Sequence, residues 1–180
     1  MTRKICWTIN VIIILTLVWL NFVPSGVLVI DHQIGERSAN VTDFRPGEKL
    51  IAFQKDGDQT FHTLTGSPIF FHIRTPRQFQ KLDAEITYRA FESAAVEFGE
   101  QTGEELYEFV YEDLEIIPDG KWHTTTVSLD LGRMYYHKDT KRYQFSFITN
   151  KNVDISAIKS TFTKPPITIN KALDKYRPSS

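Results

Sequence analysis

This sequence predicts a mainly β fold, a β-sandwich preceded by one N-terminal transmembrane helix, and three observations carry that reading. Ile5 to Phe22 is an apolar run of eighteen residues without a charged side chain. The chain holds thirteen Phe and seven Tyr, with abundant Thr, Val and Ile, a composition that favours strands over helices. Beyond residue 30, short alternating runs recur between Gly, Pro and Asp-Gly turns, with no alternating helical segments, as in a sandwich and unlike a parallel α/β sheet.

At about 1.5 Å per residue, the run from Ile5 to Phe22 reaches roughly 27 Å as a helix, close to the hydrocarbon thickness of a bilayer. Its five Ile, three Leu, two Val and one Phe outweigh the polar cost of Thr8, Asn10, Thr16 and Asn21. Arg3 and Lys4 precede it and Asp31 is the first charge after it. The positive-inside rule therefore keeps residues 1–4 cytoplasmic and makes 5–22 a single-pass signal anchor in the lipid bilayer, with the rest of the chain extracytoplasmic. A cleavable signal peptide is the competing reading. Phe22-Val23-Pro24-Ser25-Gly26 is a poor small-x-small site, and apolar Val27 to Ile30 follows it where a polar mature start is expected. Cys6, the one cysteine, lies on the wrong side of the apolar core for lipoprotein attachment and leaves the exported part without an internal disulfide.

Residues 23–37 read as a linker or a first strand, with Pro24 and Gly26 favouring a break over a continued helix. Residues 38–166 then form one extracytoplasmic domain, and 167–180 a polar C-terminal tail. Within the domain, Leu50 to Gln54 and Thr60 to Leu64 flank Lys55-Asp56-Gly57-Asp58, a strong hairpin signal. Ser67 to Thr75 has the aromatic content of a buried strand. From Leu82 to Ala90, Leu82, Ala84, Ile86 and Tyr88 face one way and Asp83, Glu85, Thr87 and Arg89 the other, which predicts a half-buried strand. Ala94 to Phe98 and Leu106 to Tyr111 predict a second hairpin around Gly99 to Gly103, although Leu106, Val110, Leu114 and Ile117 also recur at helical spacing. Trp122 to Leu131, then Tyr143, Phe145 and Phe147, then Val153 to Ile155 leading into Ile158, Ser160 and Phe162, complete the strands, and Pro165-Pro166 closes the domain.

The net charge of −1 conceals a division. Ala90 to Gly120 carries ten acidic residues and no Lys or Arg, so that stretch is −10 and the remainder +9. Glu104, Glu105 and Glu108 lie at its centre and are candidates for docking a basic partner in an envelope protein complex. A two-carboxylate glycosidase site within the stretch is far less common than a solvated acidic face. His62, His72, His123 and His137 lie in four separate segments without zinc spacing, and no nucleophile elbow, phosphate loop or dinucleotide fingerprint occurs, so the chain is not expected to be an enzyme. The basic residues Lys138, Lys141, Arg142, Lys151, Lys159 and Lys164 are too scattered for a nucleic-acid face.

Gly120-Lys121-Trp122 followed by Val127-Ser128-Leu129-Asp130-Leu131, then Tyr143-Gln144-Phe145-Ser146-Phe147, then Ile155-Ser156-Ala157-Ile158 running into Thr161-Phe162, resemble the galactose-binding-like jelly-roll β-sandwich of carbohydrate-binding modules. The likeness spans Gly66 to Lys164 and is a pattern of fold without a catalytic signature. Trp122 departs from it, being out of phase with Val127 and Leu129, so that either a bulge intervenes or the tryptophan sits elsewhere. The resemblance implies non-catalytic binding of a glycan, or of another envelope component, through aromatic side chains in loops. Tyr135-Tyr136-His137, in a polar loop, is the candidate platform for stacking on sugar faces. It also allows a structural calcium but no other cofactor; Asp56, Asp58 and Asp119 lie in turns and match no family ligand position.

Overall fold

A computed structural model describes residues 7–16, 26–51, 53–65, 68–105 and 108–164. Eleven strands lie among them: β1 (Val27–Gln33), β2 (Gln54–Asp56), β3 (Gln59–Leu64), β4 (Ile69–Arg74), β5 (Lys81–Arg89), β6 (Val96–Gln101), β7 (Phe109–Leu114), β8 (Trp122–Asp130), β9 (Tyr136–His137), β10 (Arg142–Thr149) and β11 (Val153–Thr163). One sheet runs β2-β3-β11-β5-β8, with β1 beside the C-terminal half of β11; the other runs β4-β10-β6-β7, with β9 beside the start of β10. Every strand pair is antiparallel.

The alternation in β5 places Leu82, Ala84, Ile86 and Tyr88 in the interior. They meet Phe71 of β4, Phe98 of β6, and Phe145 and Phe147 of β10, whose rings pack at centroid separations of 5.0 to 6.1 Å. Apolar burial of this kind contributes about 1.5–3 kcal/mol per large side chain. Val153 and Ile155 face this core from the start of β11, while Ile158 and Phe162 face it from the other end. Odd and even positions share one face because the register with β5 shifts between Ile155 and Ala157, a β-bulge at Ser156.

The second hairpin turns later than its glycines suggest. β6 runs through Gly99 to Gln101, and the turn lies between Gln101 and Phe109. Gly99 sits mid-strand because the Tyr111 ring occupies the space where its Cβ would lie. The helical alternative for this segment gives way to strand β7. In the first hairpin, Gly57 has the positive φ of 59° that its tight turn requires. β8 pairs with β5 without a break from Trp122 to Asp130, so no bulge corrects the phase of Trp122. Its ring lies on the outer face instead, edge-on to Phe61 at 5.5 Å and beneath the Arg89 guanidinium at 4.6 Å. Arg89 also pairs with Asp154 at 2.8 Å and with Asp56.

Val27 to Gln33 is a strand of the sandwich rather than an extension of the helix. Residues 7–16 are helical and wholly exposed, and no helix among the described residues is long and apolar enough to cross a membrane. The remainder of the expected anchor, residues 5–6 and 17–22, lies outside the described residues, as do Pro165, Pro166 and the tail 167–180.

Candidate functional site

The outer face of the four-stranded sheet is built from residues that alternate with the core phenylalanines. Ser146 and Gly99 form its floor. Phe70 from one edge strand and Phe109 from the other lean across that floor to 5.6 Å, and Phe109 stacks on Tyr111 at 5.8 Å. Beside these rings lies a row of polar groups that satisfy one another. His72 Nε2 is 3.1 Å from Gln144 Oε1, and His137 Nε2 is 2.9 Å from Gln101 Oε1. Gln101 Nε2 in turn donates to the carbonyls of Gly103 and Glu105, shaping the β6–β7 turn. His72, Gln144, His137 and Gln101 are thus paired with one another, while Arg142 Nε on the same face has no partner among the described residues.

The Tyr135-Tyr136-His137 candidates divide across β9. His137 pairs with Arg142 on the outer face, and the Tyr135 ring meets it edge-on at 4.9 Å. Tyr136 turns inward, packs on Tyr143 at 5.0 Å and donates its hydroxyl to the Thr75 carbonyl at 3.0 Å. Period-two alternation imposes this division once 136–137 is a strand. Glu104, Glu105 and Glu108 are exposed in the β6–β7 turn and form no ion pair among the described residues. Of the ten acidic residues in that stretch, only Glu100 is buried among the described residues. It lies on the inner face opposite Phe145, where burial pushes its carboxyl up to about 7, with Asp130 adding to the effect.

Two neighbouring clefts lie where the 34–50 segment runs against strand edges of both sheets. Residues 40–45 run along the free edge of β4, held by Arg74 N–H to the Asn40 carbonyl at 2.7 Å, Thr42 N–H to the His72 carbonyl at 3.0 Å and Arg45 N–H to the Phe70 carbonyl at 2.8 Å. The first cleft, about 520 Å³, is lined by His32, Glu36, Phe44, Phe53 and His62, among others. Phe53 is 59% exposed and its ring lies 4.1 Å from the His62 imidazole, whose Nδ1 meets the Ile51 carbonyl at 2.8 Å. His32 Nδ1 is buried without a partner among the described residues, and burial holds that imidazole below its ordinary range. The second cleft, about 410 Å³, is lined by Arg37, Arg45, Arg74, Arg142 and His72, and shares Arg37 and Asp43 with the first. Burial holds His72 down at about 4, and the charges of Arg142 and Arg45 push the same way, so it is neutral at pH 7.

Neither Phe53 nor the four arginines stand out as a site in the sequence. The one signal is the +9 charge outside the acidic stretch; the arginines come from loop 37–45, the end of β4 and the start of β10, which only the fold brings together. A calcium cage is not present among the described residues: no three His, Cys, Asp or Glu side chains group to hold an ion. Asp56 is engaged by Arg89, and Asp119 accepts from Lys121 N–H at 2.9 Å and pairs with His123 Nε2 at 2.8 Å.

No protein-family model and no curated protein matches the chain. Solved structures do. A xylan-binding module, CBM15, is similar at 14% identity and a TM-score of 0.49, covering 77% of this chain and 99% of that one. A CBM22 xylan-binding domain from Paenibacillus barcinonensis matches at 9% identity and a TM-score of 0.45, covering 78% of this chain and 97% of its own. A CBM6 module from a Cellvibrio mixtus lichenase, solved with cellotriose, matches at 10% identity and a TM-score of 0.44, covering 73% and 95%. The likeness is one of fold. At these identities no ligand and no residue role passes from those modules to this chain.

Proposed function

We propose that this protein is a non-catalytic glycan-binding module, held at the outer side of a membrane by its N-terminal apolar segment, and that it takes its glycan in the cleft of Phe53 and His62. The observation that carries this reading is the exposed Phe53 ring on the wall of a 520 Å³ cleft that His32 also lines. A ring face offers dispersion to the apolar face of a pyranose, while His32, Glu36 and Asp43 offer partners to its hydroxyls. The Phe70, Phe109 and Tyr111 rings on the four-stranded sheet line neither cleft, which is why the Phe53 cleft is preferred to them.

Anchoring is supported by the uncharged run Ile5 to Phe22 and by the wholly exposed apolar surface of residues 7–16, including Trp7, Ile12 and Leu15, which no described part of the sandwich covers. A helix so exposed to water carries a hydrophobic cost that lipid removes. Fractionation of cells with alkaline extraction tests retention in the bilayer, and protease added to intact cells tests the side.

The binding test is a glycan array followed by calorimetry on the full chain in neutral detergent micelles. Phe53→Ala is expected to weaken binding by about tenfold or more, from the lost stacking face. A ligand that binds Phe53→Ala as tightly as the parent moves the site elsewhere. A second reading, docking of a basic partner, is favoured by the exposure of Glu104, Glu105 and Glu108 on one turn, none of them in an ion pair among the described residues. Co-purification that is salt-sensitive and lost on Gln substitution of all three supports it; recovery of the chain alone at low salt removes it.

A further inference from the structure

Arg37, Arg45, Arg74 and Arg142 converge on one cleft, and among the described residues none of the four is in an ion pair. Arg142 Nε is buried with no acceptor among the described residues. Among the described residues that line it, Asp43 is the one carboxylate against four arginines. His72 contributes no compensation of either sign at neutral pH. Gathering like charges around a concave surface raises its potential, and a guanidinium whose Nε–H lacks an acceptor is stabilised by an oxyanion that provides one. The surrounding backbone is already fixed for this. Ser38 Oγ accepts from Asn40 N–H and Val41 N–H, both at 3.2 Å, and Thr42 Oγ1 accepts from His72 N–H at 2.9 Å.

We propose that this arginine cleft binds an anionic substituent of the glycan, a carboxylate or a sulfate, so that the ligand of the module is an acidic polysaccharide. The inference rests on the glycan reading above, because the arginine cleft adjoins the Phe53 cleft through the shared Arg37 and Asp43. A chain seated on Phe53 thereby presents its next substituents to the guanidinium groups. Four arginines around a single cleft of about 410 Å³ suit one anionic group; a polynucleotide needs a basic track several phosphates long.

The test uses the full chain in neutral detergent micelles with oligosaccharides of equal length that are neutral, uronate-bearing or sulfate-bearing, measured by calorimetry at low and high salt. Arg74→Gln and Arg45→Gln are the informative variants, since both side chains are exposed and neither is in an ion pair among the described residues. The expected result is acidic ligand bound about tenfold or more tightly than neutral ligand, with about tenfold lost in each variant and a further loss at high salt. The acidic ligand that binds better names the substituent. Neutral and acidic ligands bound equally well, with both arginine variants unaffected, overturn the anionic assignment and leave the glycan reading standing. A parallel titration with sodium sulfate against sodium chloride at matched ionic strength separates the other failure. Thermal stabilisation by sulfate that the arginine variants lose, with no oligosaccharide bound, keeps an anion site but overturns the acidic polysaccharide along with the glycan reading.

Discussion

Glu100→Gln is expected to stabilise the protein at alkaline pH and to do nothing at acid pH. Glu100 is 5% exposed, faces Phe145, and has one carboxylate oxygen, Oε2, buried without a partner. Burial, which disfavours the charge, pushes its carboxyl up to about 7 from an ordinary 4.5, and repulsion by Asp130 and Glu112 outweighs the attraction of Arg133. A raised folded pKa means that the native state holds its proton longer than the unfolded chain. The associated stability is therefore fully present below about pH 4.5 and lost as pH rises through 7. Fully developed, the loss is about 3 kcal/mol. The glutamine is nearly isosteric and carries no ionisable proton. Urea unfolding of parent and variant at intervals from pH 4 to 8 should show a difference near zero at the acid end, rising to about 3 kcal/mol at the alkaline end. His72 runs the opposite way: held at about 4, it contributes stability above pH 6.5 that is lost as pH falls. Parent and variant share that contribution, so it cancels in the difference. A difference that is constant with pH would falsify the burial argument, since a purely steric effect of the amide has no reason to follow a titration.

Gly99→Ala drives a methyl into the Tyr111 ring and should cost about 1–3 kcal/mol in thermal or urea unfolding. Adding Tyr111→Ala should recover most of it, and purely additive losses would mean the ring is not the obstacle. Arg89→Ala leaves the Asp154 carboxylate, 8% exposed, with Thr63 Oγ1 at 2.5 Å as its one side-chain partner among the described residues, for an expected loss of about 3–5 kcal/mol that Asp154→Ala in the same chain partly restores. Tyr136→Phe removes the hydroxyl that meets the Thr75 carbonyl and should cost about 1 kcal/mol while leaving glycan affinity unchanged; weakened binding at unchanged stability would put Tyr136 in the site and not in the core.

Strand positions that alternate cleanly are legible in the amino-acid order. Leu82, Ala84, Ile86 and Tyr88 share one face by their period of two, and all four lie in the interior. The turn at Gly57 is equally plain, because a glycine after Asp between apolar runs serves a tight turn whatever surrounds it. Gly99 reads as a turn residue for the same reason, and there the reading fails. A glycine's freedom is a local property, whereas the need for Gly99 comes from Tyr111, a ring on the next strand. The phase of Trp122 is visible in the sequence but ambiguous; uninterrupted pairing with β5 decides it in favour of the outer face.

The candidate site is the least legible part. Tyr135 and His137 share a surface that Tyr136 leaves, a division set by pairing with β10. Arg142 reads in sequence as one of several scattered basic residues, and its convergence with Arg37, Arg45 and Arg74 depends on residues 40–45 running along the edge of β4.

What the amino-acid order determined by itself is the material of a sandwich: alternating apolar runs, the turns between them, an uncharged apolar segment at the start, and a charge division of −10 against +9. Periodicity and charge are properties of neighbouring residues, and they can be read where they stand. The tertiary structure alone decided which charges meet, which carboxylate is buried and which ring stands free over a cleft. Those outcomes depend on strand register and loop placement, which are fixed by contacts between residues tens of positions apart.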